Sequence, residues 1–280
     1  MARSGPLPEF ADLVRAADRP RYFAALFAPA AVRADLLAVA ALRAELAAVA
    51  DRVSESGLGE IRLTWWRDSL ESVAAGGAAE TPLLRALGAA IGRHRLPAAP
   101  LLAMAEAFRG DLYSDPAPTI NDLEGFLGET ESAVFQLSAL ILGSDAGASA
   151  EAAGHAGVAY GIARRLAALA RERRRGRAMV PADVLHRHGL PPEGLFAGAD
   201  GEALAAAVGD LAAHARTHHA RALAALKGAG GRAARAAFLP LAAVPPLLAA
   251  VGRAGAAILH RTADTGDATL ILRMARRAFF

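Results

Sequence analysis

Cysteine is absent from all 280 residues. That excludes disulfides, thiolate metal sites and a cysteine nucleophile, and it fits a cytosolic location. Aromatic residues make up only 5% of the chain, and Lys227 is the sole lysine, so nearly all positive charge is arginine. The net charge is only +3, and no nucleic-acid motif accompanies it, so nucleic acid is not an expected partner. No charge-free apolar run of about 18 residues is evident, and no membrane-spanning helix is expected. The opening MARSGPLPEF lacks the apolar core of a secretory signal. What remains is a chain that is 54% hydrophobic and dominated by alanine, a composition suited to closely packed helices.

Apolar residues recur at three- and four-residue spacing throughout. Val32, Leu36, Leu37, Val39, Leu42, Leu46 and Val49 predict a long buried helix over 31–53. Others are predicted over 59–73, 82–93, 98–112, 120–142, 148–173, 202–226, 232–260 and 268–277. Turn chemistry separates them at Gly76-Gly77, 114–119, 189–193 and 228–231, and Pro245-Pro246 should kink or end a helix. No alternating stretch competes as a strand, and no loop is long enough to link two domains. An all-α fold in a single domain, 1–280, is expected.

Three segments, in order, resemble the squalene/phytoene synthase family. They are Asp18-Arg-Pro-Arg-Tyr-Phe with Arg33 and the helix leading to Glu55; Gly59-Glu-Ile-Arg-Leu-Thr-Trp-Trp-Arg-Asp68; and 157–173 followed by Gly176-Arg177-Ala-Met-Val-Pro181 and Gly189-Leu190. The resemblance covers most of 18–190 and implies the isoprenoid synthase fold, with helices around a central cavity. It also implies two Asp-rich motifs facing each other there, because ionising an allylic diphosphate calls for several Mg²⁺ ions held by carboxylates.

Those motifs are depleted here. The first falls on Ala47-Ala48-Val49-Ala50-Asp51, where only the last acid remains, with Glu45 and Glu55 nearby. Glu45 lies about 240° around a helix from Asp51, whereas Asp51 and Glu55 share a face if the helix continues. The second falls on Arg164-Arg-Leu-Ala-Ala-Leu-Ala-Arg171-Glu172, with arginines where ligands should stand. Arginine cannot ligate Mg²⁺. The cavity is therefore expected to present methyl groups and guanidinium forks, with fewer than four carboxylates converging inside it. Arg33, Arg164, Arg165 and Arg177 are candidates for holding a diphosphate without metal, or else form ion-paired faces and, for Arg177, a turn. Tyr22, Trp65, Trp66 and Tyr160 are cavity-lining candidates, with core packing as the plainer reading; of the adjacent tryptophans at most one faces fully inward.

The pattern is similar to a divergent branch of the family that includes a mitochondrial complex I assembly factor. The shared stretches include Val53-Ser-Glu55, Gly59-Glu-Ile-Arg62, Trp66-Arg67 and Glu129-Thr-Glu-Ser132. That likeness implies respiratory subunits or a prenyl lipid as partners and no resident cofactor. The alternative is an active prenyltransferase using Mg²⁺, with acids supplied from elsewhere, such as Asp111, Glu129 or Glu131. His214, His218 and His219, with His186 and His188, raise the question of zinc. No acid in the sequence is placed to complete a site, so no metal is expected. The basic tail 270–280 either closes the bundle or rests peripherally on the inner face of the membrane.

Overall fold

The three- and four-residue periodicity folds into helices, and no strand occurs among the described residues. The computed structural model describes residues 7–113, 115–197, 201–227 and 235–279. The breaks at Ser114 and 228–231, and the start of the stretch predicted from 232, lie outside them.

Two short helices missed by periodicity, α1 (Ala11–Ala17) and α2 (Arg19–Phe27), lead into α3 (Ala30–Ala47). Asp18 caps α2 by accepting from the backbone N–H of Arg21, and Pro20 sits in its first turn. The single helix expected over 31–53 is interrupted. The chain tightens at Ala48, makes one turn in α4 (Val49–Arg52), and is extended at Val53. Alanine propensity does not set this end, because the turn places Asp51 against arginines from elsewhere in the chain. Asp51 and Glu55 therefore share no helical face, and the exposed Glu55 only precedes α5 (Ser56–Ala74).

Two more helices, α6 (Pro82–His94) and α7 (Ala99–Ala107), pack near α5, and a 3₁₀ turn carries Phe108–Leu112. The helix expected over 120–142 is continuous but contains one π turn. It runs as α8 (Ile120–Leu127), the π segment Gly128–Ser132 and α9 (Ala133–Ile141). The central element is α10 (Ala146–Arg174), which packs against α9, the π segment and α13 (Gly201–Ala225). Shorter helices, α11 (Ala182–Arg187) and α12 (Gly194–Ala197), lie between α10 and α13.

Small residues let α10 approach its neighbours. A Cβ at Gly157 would lie 2.2 Å from the backbone nitrogen of Ser132, so glycine at this position seats the π segment on α10.

The stretch Ala236–Leu259 is long and apolar enough to cross a membrane by length and composition, with a mean hydropathy of 1.6. It is not a charge-free run, since Arg253 interrupts it. It is 3₁₀ over Ala236–Ala243, α-helical over Val244–Ala254 and 3₁₀ again over Gly255–Leu259. Pro240 lies in the first piece, and Pro245-Pro246 open the second, where a missing N–H is tolerated. Residues 237–244 are all buried in the bundle. The last helix, Asp267–Phe279, buries Leu270 and Met274, one turn apart, while Leu272 on its other side is 63% exposed. Phe280 lies outside the described residues. Trp66 is buried and Trp65 half-buried, as adjacent helix positions require.

Candidate functional site

The two faces singled out by motif position meet across one cavity of about 690 Å³. Ala44, Ala47 and Asp51 come from α3 and α4, with Ala48 between them, and Gly161, Arg164, Arg165, Ala168 and Glu172 from α10. Their spacing along α10 keeps them on one helical face.

The lining is richer in acid than the sequence suggested. Asp18, Asp51, Asp111, Glu131, Glu172 and Asp264 all reach it, so the expectation of fewer than four carboxylates, and with it that of a lining of methyl groups and guanidinium forks alone, is overturned. Four of them stand outside the two motif positions, on turns and helix ends that motif spacing does not address. Among the described residues, eight arginines line the same space, and each acid faces at least one.

The deepest group is almost fully buried. Glu131 projects from the π segment, with Oε2 2.7 Å from Arg21 Nη1 and Oε1 2.7 Å from Arg43 Nη2. Arg164 Nη1 lies 2.8 Å from Asp18 Oδ2 and 3.5 Å from Glu131 Oε1. Tyr160 donates its hydroxyl to Asp18 Oδ1 at 2.5 Å, and Arg164 also donates to the carbonyl of Ala17. Arg21 lies over the rings of Phe135 and Tyr160, and Arg43 over Phe108. Asp18 is thus helix cap, acceptor and counter-ion at once.

Burial alone would raise the Glu131 carboxyl, but Arg43, Arg21 and Arg164 outweigh it and hold the group down to about 2. Burial also opposes the charge on Arg164, yet Asp18, Tyr160 and Glu131 raise its pKa further. Burial and the Asp18 charge push the Tyr160 hydroxyl well above its usual value, so it remains a donor.

A second group closes the α4 side. Asp51 meets Arg175 Nη1 at 2.9 Å and Arg177 Nη2 at 2.6 Å. Glu172 receives Arg171 and Arg177, and these contacts lower its pKa against the effect of burial. Gly176, with φ of +74°, allows the turn that swings Arg177 back onto Glu172. Arg177 is therefore part of the cavity wall as well as of the turn. The Arg165–Asp111 contact is longer, at 3.8 Å.

The other predicted site residues lie elsewhere. Glu45 pairs with Arg52. Arg33 is not in the cavity wall; its guanidinium donates to the carbonyls of Leu26 and Ala28 at the end of α2. Tyr22, Trp65, Trp66 and Tyr160 do not line the cavity, with Tyr160 buried beneath it. Glu129 does not line it either, whereas Asp111 and Glu131 do. Sequence reasoning missed Arg21 and Arg43 altogether and did not single out Asp18 as a site residue. The signals were an Asp-x-Pro helix start and an arginine, Arg43, within the apolar stretch of α3.

The squalene/phytoene synthase family model matches residues 14–268. The chain belongs to the squalene/phytoene synthase family. Solved members share its architecture: squalene synthase HpnC from Alicyclobacillus acidocaldarius superimposes with a TM-score of 0.76 at 23% identity, covering 88% of this chain and 92% of that one. A dehydrosqualene synthase in complex with ligand gives 0.77 at 17%, covering 96% and 93%. These likenesses establish the isoprenoid synthase fold.

In sequence, the chain is similar to NADH dehydrogenase (ubiquinone) complex I, assembly factor 6, at 29% identity for the Bos taurus protein and 27% for the Homo sapiens protein. Both matches cover 212 residues, 75% of this chain and 64% of the relative, so the chain spans under two thirds of the curated relatives' length. This agrees with the divergent branch indicated by the sequence.

Proposed function

We propose that this family member is a complex I assembly-type factor or a prenyl-lipid-binding factor, without competent Mg²⁺-dependent prenyl transfer. The observation that carries this reading is the pairing of the cavity carboxylates with arginine, close at Asp18, Asp51, Glu131 and Glu172 and loosest at Asp111. Mg²⁺ takes near-octahedral oxygen ligands at about 2.0–2.1 Å. Oxygens of Asp51, Glu172, Asp18 and Glu131 already bond guanidinium groups, and among the described residues no three cavity acids bring ligand atoms into one cluster. The donor set does not fit a magnesium cluster.

What the cavity offers instead is an excess of guanidinium over an alanine-rich wall, complementary to a lipid with an anionic head. Arg164, Arg165 and Arg177 would meet that head. The similarity to assembly factors supports respiratory subunits as partners. The exposed Ile271 and Leu272 beside Arg273 and Arg276 support peripheral contact with the inner face of the membrane from the cytoplasmic side. In this reading the 280 residues act as one domain.

One observation favours a second reading, an active head-to-head prenyltransferase on farnesyl or geranylgeranyl diphosphate: six carboxylates do reach the cavity. Deletion of the gene from its native cell separates the two. A fall in assembled complex I, restored by the intact chain, supports the assembly role. Unchanged complex I together with loss of a C30 or C40 prenyl product would support the synthase.

A further inference from the structure

Away from the cavity, α8, α10 and α13 bring three imidazoles and a carboxylate together. His214 and His218 stand four residues apart on one face of α13, their ring centroids 4.7 Å apart. Glu124 reaches them from α8, with Oε1 2.6 Å from His214 Nε2 and 3.7 Å from His218 Nε2. His155 on α10 places Nδ1 3.2 Å from His218 Nδ1. None of the four lines the cavity. Sequence reasoning set zinc aside for want of an acid near His214 and His218. Glu124, ninety positions from His214, supplies it.

The proton arrangement of this cluster leaves room for a cation. Two Nδ1 atoms at hydrogen-bond distance require one to donate and the other to accept. When buried His218 donates to His155, its Nε2 lone pair faces the Glu124 carboxylate across 3.7 Å. Zinc binds nitrogen and oxygen at about 2.0–2.2 Å, which in a tetrahedron sets ligand atoms roughly 3.3–3.6 Å apart. The observed 2.6 and 3.7 Å separations bracket that range, and all three ligand atoms lie within 4.8 Å of one another, so side-chain rotations can bring them onto one ion. The Nδ1–H to His155 is then the outer hydrogen bond that fixes the tautomer of a metal-bound histidine. Arg221 is a like charge near His218, while Glu124 contributes the compensating negative one.

We infer that Glu124, His214 and His218 form a site for a borderline divalent cation of the zinc class, with His155 as its positioning residue. Histidine and carboxylate donors suit Zn²⁺ and leave a fourth position open beside the half-exposed Glu124 and His214.

The test is titration of the chelator-stripped full chain with Zn²⁺ against a chromogenic chelator. One equivalent should bind saturably, and the affinity should fall at least about 10-fold in Glu124→Gln and in His214→Ala. His155→Ala should lose about 10–100-fold, and His155→Asn, which keeps an acceptor near the Nδ1 position, should recover part of it. The double variant His186→Ala/His188→Ala, which removes the His188 contact to Asp210 on α13 but none of the three ligands, should bind as the parent does. Circular dichroism checks that each variant is folded, and saturating Zn²⁺ should raise the melting temperature of the parent but not of Glu124→Gln. No saturable equivalent, an affinity unchanged in both folded ligand variants, or loss only in the double variant would overturn the site.

Discussion

Replacing Glu131 by Gln keeps the shape of the buried group and removes its charge. Arg21 and Arg43 are then left facing a neutral amide, and only Asp18 remains to balance Arg21 and Arg164. Removing one partner of a buried ion pair costs about 3–5 kcal/mol. Proton linkage gives a similar size: lowering a carboxyl from 4.5 to about 2 corresponds to about 3 kcal/mol at roughly 1.36 kcal/mol per unit. Scaling unfolding entropy to 280 residues, this is a fall in melting temperature of about 5–9 °C at pH 7.

The pH dependence follows from the direction of the shift. The folded-state carboxyl titrates below its unfolded value, so its stabilisation is complete above about 4.5 and fades as pH falls towards 2. The gap between parent and variant should therefore be largest near pH 7 and less than half as large at pH 3. Thermal unfolding followed by circular dichroism at both pH values measures it. A fall under 1 °C at pH 7, or an equal gap at pH 3, would refute the assignment of Glu131 as the charged centre of the network.

Two further outcomes follow from the packing and the cavity. Gly157→Ala forces a methyl group into the backbone of Ser132 and should destabilise the protein by about 1–3 kcal/mol or more, read as a lower denaturant midpoint. Asp51→Asn removes one of the two carboxylates that Arg175 and Arg177 face, leaving Glu172 as the other, so inorganic pyrophosphate should bind up to about five-fold tighter by calorimetry, the size expected for losing a partly exposed ion pair. Weaker pyrophosphate binding, above all if Mg²⁺ is required for it, would mean that Asp51 serves as a ligand.

Helix positions were largely legible because apolar residues recur with a helical period over long stretches, as in α5, α10 and α13. Local pattern failed where tertiary pairing decided the backbone. Nothing in Ala47-Ala48-Val49 announces a break, yet Asp51 turns towards arginines more than 120 residues away. The motif positions, which only the family resemblance placed on a cavity, line one here. The charge of that cavity was not legible: Asp111 and Glu131 enter only with the alternative reading and Asp18 not as a site residue, because they arrive from a 3₁₀ turn, a π turn and a helix cap, none of which carries a spacing signature. Glu124 was invisible for the same reason: helix packing, not sequence distance, brings it to His214.

Release of diphosphate from farnesyl or geranylgeranyl diphosphate, with and without Mg²⁺, bears most directly on the arginine-paired cavity. No release above the protein-free blank is expected under either condition, by an assay that detects a known synthase in parallel. Sustained Mg²⁺-dependent turnover, abolished by Asp51→Asn, would contradict this expectation.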